Sequence, residues 1–225
     1  DIMTLEEECG DLKDRKLVAY KNTCIKIHSK RFFFFFFALA SWKIARALDV
    51  RGINVPSALA YFDMGDKSYF LNRFYENSMT LNDYFSCGLR NKEKKAAIRA
   101  FAGWLRVCHD LNIWQRDFKS SNVLVLDNQY LMVDLEAVKI RRHLSWRKKL
   151  INMAQLNASI SNDLTLKDRL RFFDHYCREE RPSRTARRQA YQKIWEITQQ
   201  KNTTPFGLDP EVLKPNVFNP PTGRR

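Results

Sequence analysis

The sequence predicts an α+β fold in which a small β-rich lobe is followed by a mostly helical lobe. Short β-prone stretches dominate the residues before position 77. From position 80 onward, longer segments carry apolar residues every three or four positions, as helices do. The chain has 225 residues, of which 44% are hydrophobic and 28% are charged. This length and composition suffice for a sizeable core and exclude a disordered or collagen-like chain.

The first lobe, residues 1–76, is expected to be a small sheet with one helix. Its predicted elements are strands at 16–20, 23–27, 58–62 and 69–74 and a helix at 36–48. Lys21-Asn22 is a plausible hairpin turn between the first two strands. Gly52 follows the helix closely enough to help end it. The run of phenylalanines at 32–37 is assigned to the core by default, with a membrane-facing lip or an aggregation-prone segment as the alternatives.

The second lobe, residues 77–225, is expected to be helical with a β-hairpin. Its predicted elements are helices at 81–85 and 92–111, strands at 122–126 and 130–133, and further helix beyond residue 139. Thr80 is a candidate N-cap for the first of these helices. The tail from residue 202 is rich in Pro, Thr and Asn.

Charge and cysteine content narrow the partners and the compartment. The formal net charge of +14 favours a polyanionic partner: nucleic acid, an anionic lipid surface or a phosphorylated substrate. No nucleic-acid recognition motif is present, so we expect no specific nucleic-acid partner. The five cysteines are far apart and contain no Cys-x-x-Cys pair, which indicates a reducing cytosol.

One constellation of polar residues points to chemistry. Asp117 stands on a loop after a helix, Asn122 follows at the edge of a strand, and Asp134 ends the next apolar run. Because a short β-hairpin brings its two ends together, we expect Asn122 and Asp134 to face one cavity with Asp117 beside them. A carboxylate that accepts a hydroxyl proton, together with an amide oxygen and a second carboxylate suited to Mg²⁺, is typical of phosphoryl transfer.

The segment from Gln115 to Asn122 resembles the catalytic loop of protein kinases, His-Arg-Asp-x-x-x-x-Asn, with Gln115 in place of the His. Asp134-Leu135-Glu136 stands where kinases carry Asp-Phe-Gly. Other stretches resemble one branch, the lipopolysaccharide core kinases that phosphorylate Kdo or heptose. These stretches are Ser41–Lys43, Gly52–Ala60, Leu156–Ser159 and Asp168–Phe173 with Tyr176.

The resemblance implies a two-lobed protein-kinase-like fold and a role for each matching residue. Asp117 matches the catalytic base, and Lys119 matches a lysine that steadies the γ-phosphate. Lys26 matches the strand lysine that holds the α- and β-phosphates of ATP. Asn122 and Asp134 match the ligands of Mg²⁺.

The sequence departs from the kinase pattern at the nucleotide-covering end. No Gly-x-Gly-x-x-Gly is present, so the phosphate-covering loop is short, divergent or lost upstream, and in the last case the first lobe is truncated. The first helix offers Ser41 near the place of the acid that pairs with the lysine, so Lys26 is expected to be less well oriented. Glu136 is either a supporting residue of the site or a surface charge. His109 is expected to be a packed residue at a helix end.

The residues 139–150 hold six basic side chains and no acid, directly after the Asp134 segment. This position favours contact with an anionic acceptor or with phospholipid headgroups.

The resemblance implies an ATP-dependent kinase that phosphorylates a sugar of the lipopolysaccharide core or of a lipid A precursor. Such an enzyme would lie in the cytoplasm, peripheral to the inner membrane. Alternatives are a kinase-like phosphotransferase acting on protein or on a small molecule, and a weakened pseudokinase that serves as a binding module.

Overall fold

The computed structural model describes residues 17–29, 37–180 and 182–202, and it confirms the α+β class. The described residues form two compact units. The first unit combines the residues up to Met79 with 123–139, and the second combines 80–122 with the residues from Ile140 onward. The sequence-based prediction assigned the segment 123–139 to the second lobe, residues 77–225. The segment belongs to the first unit because it packs on the helix of that unit and its Met132 N–H donates to Asn54 O at 2.9 Å.

The elements of the first unit follow the predicted order. They are β1 (Leu17–Tyr20), β2 (Thr23–Ser29), α1 (Phe37–Asp49), β3 (Ala58–Met64), β4 (Lys67–Arg73), β7 (Val123–Leu126), β8 (Gln129–Met132) and a 3₁₀ turn (Leu135–Ala137). Among the described residues, the first four strands form an antiparallel sheet in the order β1-β2-β4-β3. The predicted strands and helix of this region are thus confirmed, with ends shifted by at most two residues.

Strand β2 separates an apolar face from a polar one. Because successive side chains of a strand point to opposite faces, Ile25 and Ile27 lie on one face and Lys26 and His28 on the other. The two isoleucines are 4% and 7% exposed and pack with residues of β1 and β4 in a small core. The polar pair is consequently available to residues outside that core.

Helix α1 packs against β3, β4 and the 3₁₀ turn. Its buried face carries only small or aliphatic residues: Ala38, Ser41, Ala45 and Leu48. Gly52 adopts a φ of +72°, and the N–H of Ile53 donates to Leu48 O at 3.0 Å. This left-handed residue after the helix satisfies carbonyls of its last turn, so the expected role of Gly52 is confirmed.

The hairpin β7–β8 turns through two residues with left-handed backbones. Asp127 and Asn128 have φ of 49° and 61°. Two such residues form the type I′ turn that matches the twist of paired strands, and Asn and Asp tolerate it well. The register pairs Val123 with Met132 and Leu126 with Gln129.

The second unit is mostly helical. Its helices and inner strand are α2 (Leu81–Ser86), α3 (Asn91–Asp110), β6 (Ile113–Gln115), a 3₁₀ turn (Ser120–Asn122), α4 (Trp146–Ser159), α5 (Leu166–Tyr176) and α6 (Arg184–Asn202). Two short strands, β5 (Met79–Thr80) and β9 (Val138–Ile140), lie where the chain passes from one unit to the other. Thr80 Oγ1 accepts from Asp83 N–H at 3.2 Å, which confirms the predicted cap of α2.

The core of the second unit lies between paired helices. Helix α3 packs on α5, and α4 packs on α6. Ile98, Phe101, Leu105 and Cys108 are spaced by three or four residues on α3 and are all at most 2% exposed, as the sequence pattern predicts. The phenylalanine run 32–36, residue 181 and the tail beyond 202 lie outside the described residues, so the predictions for them stay predictions.

Candidate functional site

Lys26 of β2 forms ion pairs with two carboxylates of the first unit. Its Nζ lies 2.5 Å from Asp134 Oδ1 and 2.7 Å from Glu136 Oε2. The side chains of Lys26, Asp134 and Glu136 are 24%, 30% and 24% exposed. We call these three residues the lysine cluster. The expectation that Lys26 lacks a well-placed acid is therefore wrong. Its acids are Glu136, on the 3₁₀ turn Leu135–Ala137, and Asp134, directly before that turn, and neither comes from α1.

The backbone at Asp134 explains how two acids reach one amine. Asp134 has φ 58° and ψ 52°, a left-handed conformation that costs a residue with a Cβ about 1 kcal/mol. The N–H of Ala137 then donates to Asp134 O at 3.1 Å and closes the turn. Leu135 and Ala137 are 4% and 5% exposed, so they anchor the turn while Glu136 points away from the core.

The charge state of the lysine cluster follows from its surroundings. Burial disfavours the charged amine of Lys26, but hydrogen bonds to Asp134 and Glu136 outweigh burial and raise its pKa above the ordinary value. Burial also lowers the pKa of His28, more than the nearby Glu136 raises it. His28 Nε2 lies 3.9 Å from Glu136 Oε2. Lys26 is therefore charged and His28 neutral near pH 7.

The loop 116–122 of the second unit presents Asp117 to solvent. The carboxylate of Asp117 is 47% exposed, and Lys119 Nζ lies 2.7 Å from its Oδ2. The side chain of Asn122 donates from Nδ2 to Asp117 O at 2.8 Å. The N–H of Asn122 also donates to Lys119 O at 2.9 Å. These bonds wind the loop tightly around a carboxylate that stays accessible, which is what a proton acceptor for a bound substrate requires.

A buried network of neutral side chains holds the backbone on both sides of Asp117. Gln155 of α4 donates from Nε2 to Arg116 O at 2.7 Å and accepts from Phe118 N–H at 3.3 Å. Asn152, one turn earlier on α4, donates from Nδ2 to Gln115 O at 2.7 Å. The side-chain amides of Gln155 and Asn152 are themselves linked at 3.0 Å.

His109 completes this network from the end of α3. Its Nδ1 lies 2.7 Å from the hydroxyl of Tyr176, and its Nε2 lies 3.3 Å from Asn152 Oδ1. Burial lowers the pKa of His109 to about 4, although the hydrogen bond to Asn152 opposes that change. His109 is 1% exposed. The prediction that it is a packed residue is confirmed. We call His109, Asn152, Gln155 and Tyr176 the amide network.

The end of helix α4 anchors the rest of the loop. The N–H of Ser120 donates to Ser159 Oγ at 2.8 Å, and Ser120 Oγ donates to Ser159 O at 2.5 Å. Arg169 of α5 binds this end of α4, donating to Asn157 O at 2.9 Å and to Ser161 O at 3.1 Å. Burial lowers the pKa of the Arg169 guanidinium. A half-buried cation thus satisfies carbonyls at and after the last turn of α4.

The basic segment 139–150 lies mostly at the surface of its unit. The guanidinium of Arg141 and the ammonium of Lys148 lie 5.3 Å and 5.2 Å from the centre of the Trp114 ring. Lys149 approaches Asp110 at 3.5 Å. Arg142 and Arg147 are exposed. Trp146 is 40% exposed, which leaves an amphipathic ring among cations.

Comparison with known proteins identifies the fold. No protein-family model matches the chain, and no curated protein matches it. Among solved structures, the chain is similar to the bifunctional kinase-methyltransferase WbdD, with a TM-score of 0.52 and 11% identity over 83% of this chain and 47% of that one. It is also similar to an aminoglycoside-3'-phosphotransferase of type VIII, with a TM-score of 0.55 and 11% identity over 80% of this chain and 93% of that one. The fold is protein-kinase-like.

In this kinase-like fold, the predicted site residues form two groups, one in each unit. The structure brings Lys26 and Asp134 together in the first unit and Asp117, Lys119 and Asn122 together in the second. The expectation that Asn122 and Asp134 face one cavity stays a prediction.

The chemistry of the two predicted metal ligands suits Mg²⁺. Asp134 offers a carboxylate, and because Asn122 uses its amide nitrogen in the bond to Asp117, its oxygen is the atom available to a cation. Hard oxygen donors of this kind fit the ion. Within the part of the chain that the structure describes, no group of three or more His, Cys, Asp and Glu residues could hold a metal by itself. Nor does any helix there have the length and apolarity to cross a bilayer.

Sequence reasoning missed the amide network and left Glu136 undecided. Asn152 and Gln155 stand three residues apart on α4, on the face that also carries buried Met153 and Leu156. Two amides on a buried helical face signal a hydrogen-bonding role, because an unpaired buried amide is costly. That signal was available in the sequence, although the identity of the partners was not.

Proposed function

We propose that the chain is an ATP-dependent phosphotransferase acting on a sugar hydroxyl, Kdo or heptose, of a lipopolysaccharide core or lipid A precursor. The observation that carries the proposal is the loop geometry at Asp117. The exposed carboxylate of Asp117 lies beside Lys119, and the side chain of Asn122 holds the backbone carbonyl of Asp117. The fold around this loop is kinase-like. The choice of acceptor rests on the family resemblance of the sequence stretches around Ser41, Gly52 and Leu156.

In the proposed reaction, the acceptor hydroxyl gives its proton to Asp117 while its oxygen forms a bond to the γ-phosphorus of ATP. The bond between that phosphorus and the β-γ bridging oxygen breaks, and ADP leaves. Lys119 would neutralise charge on the transferred group, and Lys26 would bind the α- and β-phosphates. Asn122 and Asp134 would hold Mg²⁺, which when bound supplies positive charge to the phosphates.

We further propose that the basic segment 139–150 contacts the anionic acceptor and the phospholipid headgroups around it at the cytoplasmic face of the inner membrane. The exposed cations Arg142 and Arg147 and the half-apolar ring of Trp146 support this proposal. The arginines 184 and 188 of α6 are also exposed, and we assign them to an ordinary solvated helix face.

A second candidate is transfer to a soluble small molecule, because the similarity to the aminoglycoside phosphotransferase covers 93% of that protein. Incubation with labelled ATP and a panel of acceptors separates the candidates. The panel contains deacylated inner-core oligosaccharide, an aminoglycoside and a denatured protein, and mass spectrometry identifies the phosphorylated product. We expect the labelled phosphate to be transferred to the oligosaccharide and to neither of the other two acceptors.

We expect Asp117→Asn and Asp134→Ala each to lower the rate of transfer by at least about 10³-fold, because each removes a carboxylate that the reaction requires. The exposed Asp66 gives the matched control Asp66→Asn, which should keep full activity. Circular dichroism verifies that the variants fold. Undiminished transfer in either of the first two variants would contradict the proposed mechanism.

A further inference from the structure

One of the two acids that contact the proposed phosphate-binding lysine lies on the 3₁₀ turn Leu135–Ala137 after β8. We propose that Glu136 is the positioning residue that holds Lys26 toward the phosphates of a bound nucleotide. This inference rests on the proposed function, since it assigns a role to a residue through Lys26. It gives a definite role to a residue that the sequence leaves ambiguous.

The contact geometry favours Glu136 over the acid of helix α1. Helix α1 presents no carboxylate on its buried face, and its last residue, Asp49, is its only acid. Glu136 Oε2 lies 2.7 Å from Lys26 Nζ. Helix α1 buries small residues at positions 38, 41 and 45, and the turn that carries Glu136 packs against this helix. The carboxylate is therefore delivered from the turn and not from the helix.

The second acid of the lysine cluster has a different task in the proposed reaction. Asp134 contacts Lys26 at 2.5 Å, but it is also the proposed metal ligand. A carboxylate that binds a divalent cation has less negative charge to offer an ammonium group. Glu136 then remains as the partner that keeps Lys26 in place. Two acids on one amine thus allow one of them to leave for the metal without releasing the lysine.

The surroundings of Glu136 suit a positioning role. Its neighbours Leu135 and Ala137 are buried, so the backbone of the turn is anchored on both sides. His28 Nε2 lies 3.9 Å from Glu136 Oε2, and the Phe37 ring lies 5.5 Å from the imidazole. The imidazole therefore lies beside the same carboxylate that contacts Lys26.

Nucleotides that differ only in their phosphates provide the test. Isothermal titration calorimetry measures the affinity of the whole chain for ATP, ADP and adenosine with Mg²⁺ present. We expect Glu136→Gln to weaken ATP and ADP binding about tenfold, the loss of one well-placed charged contact, and to leave adenosine binding unchanged. Glu136→Asp should recover part of the loss. The exposed pair Lys193–Glu196 supplies the control Glu196→Gln, which should bind all three as the wild type does.

The outcomes separate a failure of this inference from a failure of the proposed function. Equal weakening of adenosine and ADP by Glu136→Gln would assign Glu136 a purely structural role and overturn the inference. Unchanged ADP affinity in that variant would overturn it as well, while the phosphotransferase proposal would stand. A wild-type chain that binds neither ATP nor ADP would overturn both.

Discussion

The lysine cluster of the first unit and the amide network of the second hold their residues by different physical means. The cluster consists of full charges whose side chains are about a quarter exposed. The amide network consists of neutral groups, and its members His109, Asn152 and Tyr176 are each 1% exposed. The lysine cluster fixes the side chain of Lys26, whereas the amide network fixes the backbone on both sides of Asp117.

This difference shows which parts of the molecule can rearrange. Partly exposed ions exchange partners with water, metal or phosphate at modest cost, so the lysine cluster is suited to meet a charged ligand. A buried amide that loses its partner pays the full desolvation penalty, so the loop around Asp117 is held in one conformation. The partly exposed lysine cluster can therefore rearrange at a lower cost in free energy than the buried amide network.

The largest expected effect on stability is in the amide network. Asn152→Leu removes a partner of Gln115 O, of His109 Nε2 and of the Gln155 amide while it keeps the branched shape of the side chain. Because each buried polar group left unpaired costs about 1–3 kcal/mol, the free energy of unfolding should fall by about 4 kcal/mol. Urea denaturation measures it. The control Asn162→Leu, at an exposed position, should change it by less than about 0.5 kcal/mol. Similar small losses in both variants would contradict a tightly paired network.

A smaller effect is expected from pH, through His109. Burial lowers the pKa of His109 in the folded protein from 6.5 to about 4. Between these pH values, His109 therefore takes up a proton in the unfolded chain but not in the folded one. The stability from a neutral His109 is therefore fully present above pH 6.5 and is lost as pH falls toward 4, by up to about 3 kcal/mol.

Denaturation at a series of pH values checks this sign. His109→Gln should be less stable at pH 7 and should show a flatter dependence between pH 6.5 and 4. His28 and His175 titrate in both proteins, so the difference between the two curves isolates His109. Identical slopes would show that His109 does not titrate across this interval.

The smallest effect on stability is expected in the lysine cluster. Lys26→Met removes a partly exposed cation and leaves Asp134 and Glu136 as like charges, which should cost about 1 kcal/mol. The same variant should lose ATP binding. Denaturation and calorimetry measure the two quantities on one preparation. A loss of stability as large as that of Asn152→Leu would remove the distinction between the two regions.

Much of the local structure was predictable from particular residues. The hairpin before Lys26 follows from Lys21-Asn22 between β-prone runs, and the N-cap of α2 follows from Thr80 ahead of an apolar helix. The wound loop at Asp117 follows from Asn122, five residues later. These features depend on residues close together in the chain, where propensity and spacing decide the outcome.

The partner of Lys26 was not predictable in the same way. The sequence shows that α1 carries no suitable acid, and this led to the expectation of a poorly held lysine. Only the packing of the 3₁₀ turn on α1 brings Glu136 to the amine, across 110 residues of chain (136 − 26). Likewise, no local pattern assigns Gln155 to the backbone on either side of Asp117.

By itself the sequence determined the α+β class, the order of the elements and the residues of the Asp117 loop, because these depend on periodicity and on contacts a few positions apart. The tertiary structure decided which acids pair with Lys26 and which amides hold the loop. It also decided that segment 123–139 joins the first unit. Such choices depend on contacts between residues distant in sequence, where burial, ion pairing and the need to satisfy every buried polar group select one arrangement among many.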